Sequence, residues 1–259
     1  MTSKNSLFDV RGKVALVTGG TRGIGLMIAK GLVQAGVKTY VVSRKAEACA
    51  EAEAELKQHG EAVGIPADLS SSEQMNLFAE EFLLREPKLH ILVNNAGATW
   101  GAKFGEFPES GWDKVMDINL KSIFFLTQKL GTALQAAGTS EDPARVINIG
   151  SVDGLTTPEY DNFSYSASKA AVHHLTRHLA AHLARVNINV NAIAPGPFET
   201  KMIEFMIKDH ADELTKTIPC GRIGLASDIA GTTIFLSSTA SAYITGTVIP
   251  LDGGYSTAR

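Results

Sequence analysis

The sequence predicts an α/β fold in which one doubly wound parallel sheet of about seven strands carries helices on both faces. Short β-branched runs alternate with longer helix-like segments along the chain, as in strands joined by helical crossovers. Most of these runs are continuously apolar, which is expected where helices cover both faces of a parallel sheet. A glycine-rich turn directly follows the first run, at the position where doubly wound folds bind phosphate.

The elements are predicted in chain order from these patterns. The apolar runs predict strands at residues 14–18, 39–43, 62–66, 91–94, 146–149, 188–194 and 247–251. The segments between them predict helices at residues 24–35, 46–59, 72–85, 111–136, 165–185 and 228–237. Ser70 and Ser110 each stand three residues before an acidic residue, which predicts capped helix starts at both places.

Length and composition predict one domain over residues 1–259. A chain of 259 residues can bury a large core, and its 44% hydrophobic and 20% charged residues are ordinary for a globular protein. A net charge of −3 without a Lys/Arg run argues against nucleic acid as a partner. Cys49 and Cys220 are far apart and lack clustered ligands, so neither a disulfide framework nor a metal site is expected.

Membrane and export signals are not expected either. The sequence has no run of 18 apolar residues, so no membrane span is predicted. The first residues lack the apolar core of a secretory signal. We therefore expect a cytoplasmic protein.

The glycine-rich turn predicts a dinucleotide site. Gly19, Gly23 and Gly25 follow the first strand with the spacing G-x-x-x-G-x-G, which differs from the G-x-G-x-x-G fingerprint. Glycines let the backbone approach a pyrophosphate, whose charge is met by the N–H groups at the helix start. A glycine-rich loop can also be a simple turn, but its position after the first strand favours the cofactor interpretation.

The end of the second strand indicates which dinucleotide is bound. At this position an acidic residue would bind the ribose hydroxyl of NAD, whereas an arginine accommodates the 2′-phosphate of NADP. The chain has Ser43, Arg44 and Lys45 there, and no carboxylate before Glu47. Arg44, helped by Arg22 or Lys45, therefore predicts NADP (NADPH), although these could be ordinary solvated charges.

Tyr165 and Lys169 are the predicted acid-base pair. They stand four residues apart in a predicted helix, so their side chains share one face, with Cβ atoms about 5–6 Å apart. A free tyrosine has a pKa of about 10, and a neighbouring ammonium favours the phenolate and lowers that pKa. Ser151, at the end of a predicted strand, is a candidate carbonyl-binding hydroxyl. Tyr-x-x-x-Lys alone is weak evidence, because this spacing is common on amphipathic helices.

Five motifs in order resemble the short-chain dehydrogenase/reductase family from about Leu7 to Gly254. They are the turn at 18–25, Asn94-Asn95-Ala96-Gly97, Asn119, Ser151 with Tyr165 and Lys169, and Pro195-Gly196. Three further stretches, at 100–102, 143–151 and 187–191, are similar to the 3-oxoacyl thioester (β-ketoacyl) reductases, notably the one associated with rhamnolipid synthesis. The resemblance implies a Rossmann-like sheet and a ketoreductase that uses NADP.

The resemblance also implies a role for each site residue. Tyr165 would protonate the carbonyl oxygen, Lys169 would hold the nicotinamide ribose and lower the pKa of Tyr165, and Ser151 would bind the same oxygen. Asn119 would bind a proton-relaying water; on its own it would be taken as a buried structural amide. The implied cofactor contacts are Gly19, Thr21, Arg22, Gly23, Ile24, Gly25, Ser43, Arg44, Lys45, Asp68, Leu69, Asn95, Ala96, Gly97, Tyr165, Lys169, Pro195, Gly196 and Thr200. Asp68 could equally cap the next helix.

The predicted substrate is hydrophobic. The segment 196–218 is rich in apolar residues and methionines, which is typical of a mobile lid, although simple helix packing would give the same pattern. Phe198 and Met202 from this segment, together with Trp100 and Ser151, are the candidate substrate contacts. An acyl thioester or bulky ketone fits these residues better than a sugar.

Three questions stay open at this stage. The region before the fifth strand has no basic residue until Arg145, and the end of the catalytic helix offers only Arg177 and Arg185 among histidines. Docking of acyl carrier protein is therefore doubtful, and a coenzyme A thioester or free ketone is as plausible. The alternative functions are a polyol or sugar-acid dehydrogenase and a cofactor-binding regulatory protein without turnover.

His174, His178 and His182 form a column on one helix that could bind metal, but they lack further ligands. Family members are commonly tetramers, so a homotetramer or homodimer is expected.

Overall fold

A computed structural model describes residues 7–200 and 215–257 and shows a parallel sheet in that part of the chain. The strands are β1 (Val14–Thr18), β2 (Lys38–Ser43), β3 (Ala62–Pro66), β4 (Ile91–Asn94), β5 (Ala144–Ile149), β6 (Ile188–Pro195) and β7 (Val248–Leu251). Their order across the sheet is β3-β2-β1-β4-β5-β6-β7, and every neighbouring pair is parallel. The predicted fold class is confirmed, and each strand ends within two residues of its predicted bounds.

Helices cover both faces of this sheet. They are α1 (Gly23–Gln34), α2 (Ala46–Lys57), α3 (Ser72–Arg85), α4 (Glu109–Met116), α5 (Ser122–Lys129), α6 (Gly131–Ala137), α7 (Phe163–Leu183) and α8 (Ala226–Ser237). Along β1, Ala15 and Val17 join a core cluster with α1, α2 and α8, whereas Leu16 joins a second cluster with α3, α5 and α6. This alternation explains why both faces of the strands are apolar.

The strand order places a site at the carboxyl ends of the central strands. β2 lies on one side of β1 and β4 lies on the other, so the chain reverses its direction of winding between these two neighbours. A crevice forms outside the carboxyl ends at such a switch point, and ligands of doubly wound sheets bind there. The glycine-rich turn, which follows β1, opens onto this crevice.

The predicted helix at 111–136 is the largest difference from the sequence prediction. It is divided into α4, a π-helical turn at Asp117–Lys121, α5 and α6. The π turn carries Asn119, and π-helical turns occur frequently at functional sites. Hydrophobic periodicity alone does not reveal a local change of winding within one continuous apolar face.

The two predicted helix caps are wrong in detail. α3 is capped by Ser71, whose hydroxyl accepts from the Gln74 N–H at 3.3 Å, and not by Ser70. α4 begins at Glu109 after Pro108 and has no side-chain cap, so Ser110 lies inside the helix. Pro108 fixes the backbone direction at this start, which a hydroxyl pattern does not show.

Two further predictions concern membranes and the lid. Among the residues that the structure describes, no helix is both long and apolar enough to cross a bilayer. The predicted lid at 196–218 falls largely on residues 201–214, and Met202 with them, outside the described residues.

Candidate active site

The predicted catalytic side chains meet between the end of β5 and the start of α7. Ser151 follows β5 by two residues, and Tyr165 and Lys169 lie in the first two turns of α7. The Lys169 Nζ lies 5.5 Å from the centroid of the Tyr165 ring and donates to the Ile149 carbonyl oxygen at 2.7 Å. The Ser151 hydroxyl acts on the Tyr165 phenol and lowers its pKa. These groups can bind a carbonyl oxygen and deliver a proton to it.

Burial is the largest influence on the ionisation of this pair. Burial raises the pKa of Tyr165 to about 12, and the hydrogen bond from Ser151 opposes the rise. Burial lowers the pKa of Lys169 to about 8. Burial disfavours the charged form of each group, which raises the pKa of the phenol and lowers that of the ammonium; the lowering of the Tyr165 pKa by Lys169 stays a prediction. At neutral pH the tyrosine carries its proton and the lysine carries its charge, which is the state that a proton donor requires.

We expect the rate of ketone reduction to fall as the pH rises through about 8. Below that pH Lys169 is cationic and stabilises the phenolate that proton donation creates; above it the charge is lost. The pH profile of kcat/KM measures this. Asp153 raises the pKa of Lys169, so Asp153→Asn should move the fall to lower pH. A shift to higher pH would contradict this assignment.

Asp153 was not identified from the sequence. It lies in the turn Val152–Gly154, and its N–H donates to the Ser151 Oγ at 3.1 Å. Burial raises the pKa of its carboxyl group, while a hydrogen bond from Asn162 and the charge of Lys169 act in the opposite direction. An acidic residue two positions after the catalytic serine was the available signal, but acidic residues are common in turns.

His173 was also missed. It is buried one turn after Lys169 on α7, and its Nδ1 lies 3.3 Å from the Gly154 carbonyl oxygen. A Cβ on Gly150 would overlap the imidazole ring, so the ring fills the space beneath the Ser151 turn. Burial lowers the pKa of His173 to about 4, which keeps it neutral. In the sequence, only its position eight residues after Tyr165 pointed to His173. Three other histidines on the same helix, His174, His178 and His182, made it hard to distinguish.

Asn119 ties the segment after β4 to the catalytic helix. Its Oδ1 accepts from the Ala98 N–H at 2.8 Å, and its Nδ2 donates to the Ala98 carbonyl at 3.0 Å and to the Ser168 hydroxyl at 3.0 Å. The side chain is fully buried. A Cβ on Gly97 would approach the Asn119 Oδ1 to 3.1 Å, so a glycine suits that position. These bonds support the alternative that the side chain of Asn119 is a buried structural amide.

Asn95 connects the same segment to the glycine-rich turn. Its Nδ2 donates to the carbonyl oxygens of Thr18 at 2.9 Å and Gly19 at 3.2 Å. The Thr18 hydroxyl accepts from the N–H groups of Asn95 and Ala96, both at 2.9 Å. The turn after β1 and the motif after β4 therefore form one hydrogen-bonded unit.

The glycine-rich turn has the geometry of a phosphate site. Gly19 and Gly23 have φ values of 63° and 53°, in the left-handed region that favours glycine. α1 begins at Gly23, so Thr21 and Arg22 precede it and Ile24 and Gly25 lie in its first turn. Arg22 stands at the N-cap without a side-chain capping bond. The N–H groups of this helix start therefore remain available to a pyrophosphate.

We expect Gly25→Ala to abolish tight NADPH binding. A Cβ there would overlap the Gly19 carbonyl oxygen and the Asn95 amide, so the turn must distort and lose its phosphate geometry. Titration of NADPH fluorescence measures the dissociation constant. Gly131→Ala is the matched control, because a Cβ on Gly131 meets no atom within 4 Å. Unchanged NADPH affinity in Gly25→Ala would refute the role of this turn.

Basic side chains follow β2 at the predicted 2′-phosphate position. Ser43 ends the strand, and the next two residues, Arg44 and Lys45, are exposed. Arg22 is exposed at the start of α1. An exposed guanidinium at the end of β2 can reach a phosphate with charge-assisted hydrogen bonds.

The remaining cofactor candidates lie around the same crevice. The Asp68 Oδ1 accepts from the Ser70 N–H at 3.0 Å and from its hydroxyl at 2.6 Å, so this carboxylate holds the turn before α3, and Leu69 is buried. Pro195 ends β6, and the Gly196 N–H donates to the Leu251 carbonyl at 3.0 Å. Thr200 packs near Gly23, because a Cβ on that glycine would lie 3.4 Å from the Thr200 methyl group.

The substrate candidates differ in their surroundings. Trp100 packs against Gly111 of α4, and the Lys114 Nζ lies 5.2 Å from its ring centroid. Phe198 is only 3% exposed and its ring packs on Gly224. Phe198 belongs to a core cluster and lines a cavity with Pro197 and Ile218, and its role as a substrate contact stays a prediction.

The histidine column lies on the outer face of α7. His174, His178 and His182 are exposed, and the rings of the last two are 4.9 Å apart. Within residues 7–200 and 215–257, no group of three or more His, Cys, Asp or Glu side chains is arranged to hold a metal ion.

Comparison with known proteins decides the family. A family model described as enoyl-(acyl carrier protein) reductase matches residues 19–256. The rhamnolipids biosynthesis 3-oxoacyl-[acyl-carrier-protein] reductase of Pseudomonas aeruginosa is 46% identical over 252 residues, covering 96% of this chain and 98% of the relative. This chain belongs to the short-chain dehydrogenase/reductase family.

A solved structure and a second relative bear on the activity. The Pseudomonas aeruginosa RhlG/NADP active-site complex has 45% sequence identity and a TM-score of 0.93, covering 96% of this chain and 98% of that chain. The 2-dehydro-3-deoxy-D-gluconate 5-dehydrogenase of Dickeya dadantii is 37% identical, covering 96% of this chain and 97% of the relative. The predicted family is confirmed, and membership in this reductase family disfavours a regulatory protein without turnover.

Proposed function

We propose that this protein reduces a ketone to an alcohol with NADPH, and that its substrate is a 3-oxoacyl thioester or a bulky hydrophobic ketone. The observation that carries this proposal is the convergence of Ser151, Tyr165 and Lys169 in a chain 46% identical to a 3-oxoacyl reductase. The sugar-acid dehydrogenase quoted above is 37% identical, which makes it the second candidate.

The residues around the crevice fit the dinucleotide. The left-handed glycines and uncapped start of α1 suit its pyrophosphate, and exposed Arg44 suits a 2′-phosphate. When bound, NADPH would supply the hydride. Its occurrence in the complex of the 45% identical relative supports NADP as the cofactor.

The chain's own residues would manage the carbonyl oxygen. The hydroxyls of Ser151 and Tyr165 would both bind it, which stabilises negative charge as the hydride arrives. Tyr165 would then donate its proton to that oxygen, and cationic Lys169 would stabilise the resulting phenolate. The turn at Asp153 orients Ser151 through the hydrogen bond from its backbone N–H.

The carrier of the acyl group is proposed to be coenzyme A, or none. Arg145, the first basic residue of the region before β5, is 1% exposed, and its guanidinium binds the carbonyl oxygens of Pro143 and Ser238. It cannot form a basic surface for an acidic carrier protein. Glu141 is exposed at the same edge and would repel such a partner.

The test is NADPH oxidation with several substrates side by side. A 3-oxoacyl-coenzyme A, the same acyl group on acyl carrier protein, a bulky neutral ketone and a keto sugar acid form the panel. We expect the highest kcat/KM with the coenzyme A thioester or the bulky ketone. Preference for the sugar acid would establish the second candidate instead, and NADPH binding without any turnover would refute both.

We also propose that the enzyme assembles as a homodimer or homotetramer. Phe124 and Phe125 on α5 are 37% and 40% exposed, and their rings lie 5.2 Å apart. An aromatic pair exposed on a helix face is typical of a surface that another protein covers. Light scattering after size-exclusion chromatography measures the assembly, and a monomer would refute this proposal.

A further inference from the structure

The Asp153 backbone is fixed beside the catalytic hydroxyl. Its N–H donates to the Ser151 Oγ at 3.1 Å, and its carbonyl oxygen accepts from the Ser166 hydroxyl at 2.9 Å. One bond reaches the segment after β5 and the other reaches the residue next to Tyr165. The side chain of Asp153 therefore extends from a point held between the catalytic serine and the catalytic tyrosine.

The side chain of Asp153 presents acceptor oxygens. Its Oδ2 accepts from the Asn162 Nδ2 at 2.9 Å. No described donor reaches its Oδ1. The Asn162 Oδ1 is buried and has no partner in the part of the chain that the structure describes. The Asn162 amide N–H group therefore fixes the direction of the carboxylate through its Oδ2.

The charge of Asp153 reaches both catalytic side chains of α7. It raises the pKa of Tyr165 and that of Lys169. The nearby cation, Lys169, lies beneath Tyr165 with its Nζ bound to the Ile149 carbonyl. A negative group on a substrate bound at Ser151 and Tyr165 would therefore lie within range of the Asp153 charge.

We propose that Asp153, held by Asn162, selects neutral ketones and excludes ketones that carry a carboxylate near the reacting carbonyl. A substrate carboxylate at that position is repelled by the Asp153 charge. An acyl thioester or ester has no charge at that position. This inference rests on the proposed function and deepens it, because it gives a physical reason for preferring a neutral ketone to a keto sugar acid.

The experiment compares methyl 3-oxohexanoate with 3-oxohexanoate, which differ only in the charge of one end. kcat/KM for NADPH-dependent reduction is measured for wild type, Asp153→Asn and Asp161→Asn. Wild type should prefer the ester, and Asp153→Asn should raise the acid-to-ester ratio of kcat/KM by about tenfold or more, as expected for removing one charge at close range. The ratio cancels any general loss of catalysis. Asp161→Asn, which removes an exposed charge nearby, should leave the ratio unchanged.

The outcomes separate this inference from the proposed function. Reduction of the ester with an unchanged ratio in Asp153→Asn overturns the inference and leaves the reductase proposal standing. If wild type reduces neither compound, the substrate assignment of the reductase proposal fails. Binding of the same pair to the NADPH complex, followed by fluorescence, then decides the inference. Tighter binding of only the acid in Asp153→Asn supports it, whereas equal binding overturns it.

Discussion

Replacing Tyr165 with phenylalanine is expected to lower kcat for ketone reduction by about 10²–10⁴-fold, the range that general acid catalysis contributes. The substitution removes the phenol hydroxyl, on which Ser151 acts, while keeping the ring that lies 5.5 Å from the Lys169 Nζ. Because burial raises the pKa of Tyr165 to about 12, its proton is present throughout the working pH range. Initial rates of NADPH oxidation with a saturating ketone measure the effect.

Tyr160→Phe is the matched control for this substitution. Tyr160 lies five residues earlier in the chain, is 57% exposed and has no lysine four residues later. Its loss should change kcat by less than about threefold, because most exposed side-chain changes away from a site have small effects. NADPH affinity should stay within the same limit in both variants. Near-normal turnover in Tyr165→Phe would overturn the mechanism.

The elements of the sheet could be predicted from sequence because their signals are local. An apolar run such as Ala15, Leu16 and Val17 is buried on both faces wherever helices cover the sheet, so burial follows directly from the pattern. The crevice is also predictable in this way, since the glycine turn and the strand order together specify it. These signals depend on neighbouring residues in the chain, and tertiary packing reinforces them.

The details that sequence missed depend on contacts between distant segments. Phe198 lies in the apolar segment that predicts a lid, and its burial depends on Gly224, which leaves room for its ring. His173 is one of several histidines on α7, and only the packing of Gly150 against its ring distinguishes it. The pKa of Tyr165 likewise depends on its withdrawal from water, which residue spacing does not report.

Asp153 shows why substrate specificity is also hard to predict from the sequence. Sequence motifs identify the residues that perform the chemistry, because the chemistry restricts their type and spacing. Selection of the substrate depends on the groups that surround those residues, and a turn aspartate gains this significance only when its backbone is seen bonded to Ser151 and Ser166. The reaction is therefore better determined by the sequence than the substrate is.

The second large effect is expected from Arg44→Asp, which should raise the KM for NADPH by about 10²-fold. The exposed guanidinium follows β2, where a 2′-phosphate of charge about −1.5 to −2 would lie. The substitution removes a charge-assisted hydrogen bond, worth about 1.5–3 kcal/mol, and adds repulsion between the new carboxylate and the phosphate. Initial-rate kinetics with NADPH and NADH as separate variable substrates measure the change.

The comparison of the two cofactors isolates the phosphate contact. NADH has the same pyrophosphate, ribose and nicotinamide but no 2′-phosphate, so its KM should change by less than about threefold, or improve as the introduced carboxylate meets a ribose hydroxyl. Lys88→Asp makes the same change of charge in an exposed loop before the amino end of β4, opposite the crevice, and should leave both KM values unaltered. Equal increases for NADPH and NADH in Arg44→Asp would mean that Arg44 supports the turn rather than the phosphate, and the NADP preference would then have to come from Arg22 or Lys45.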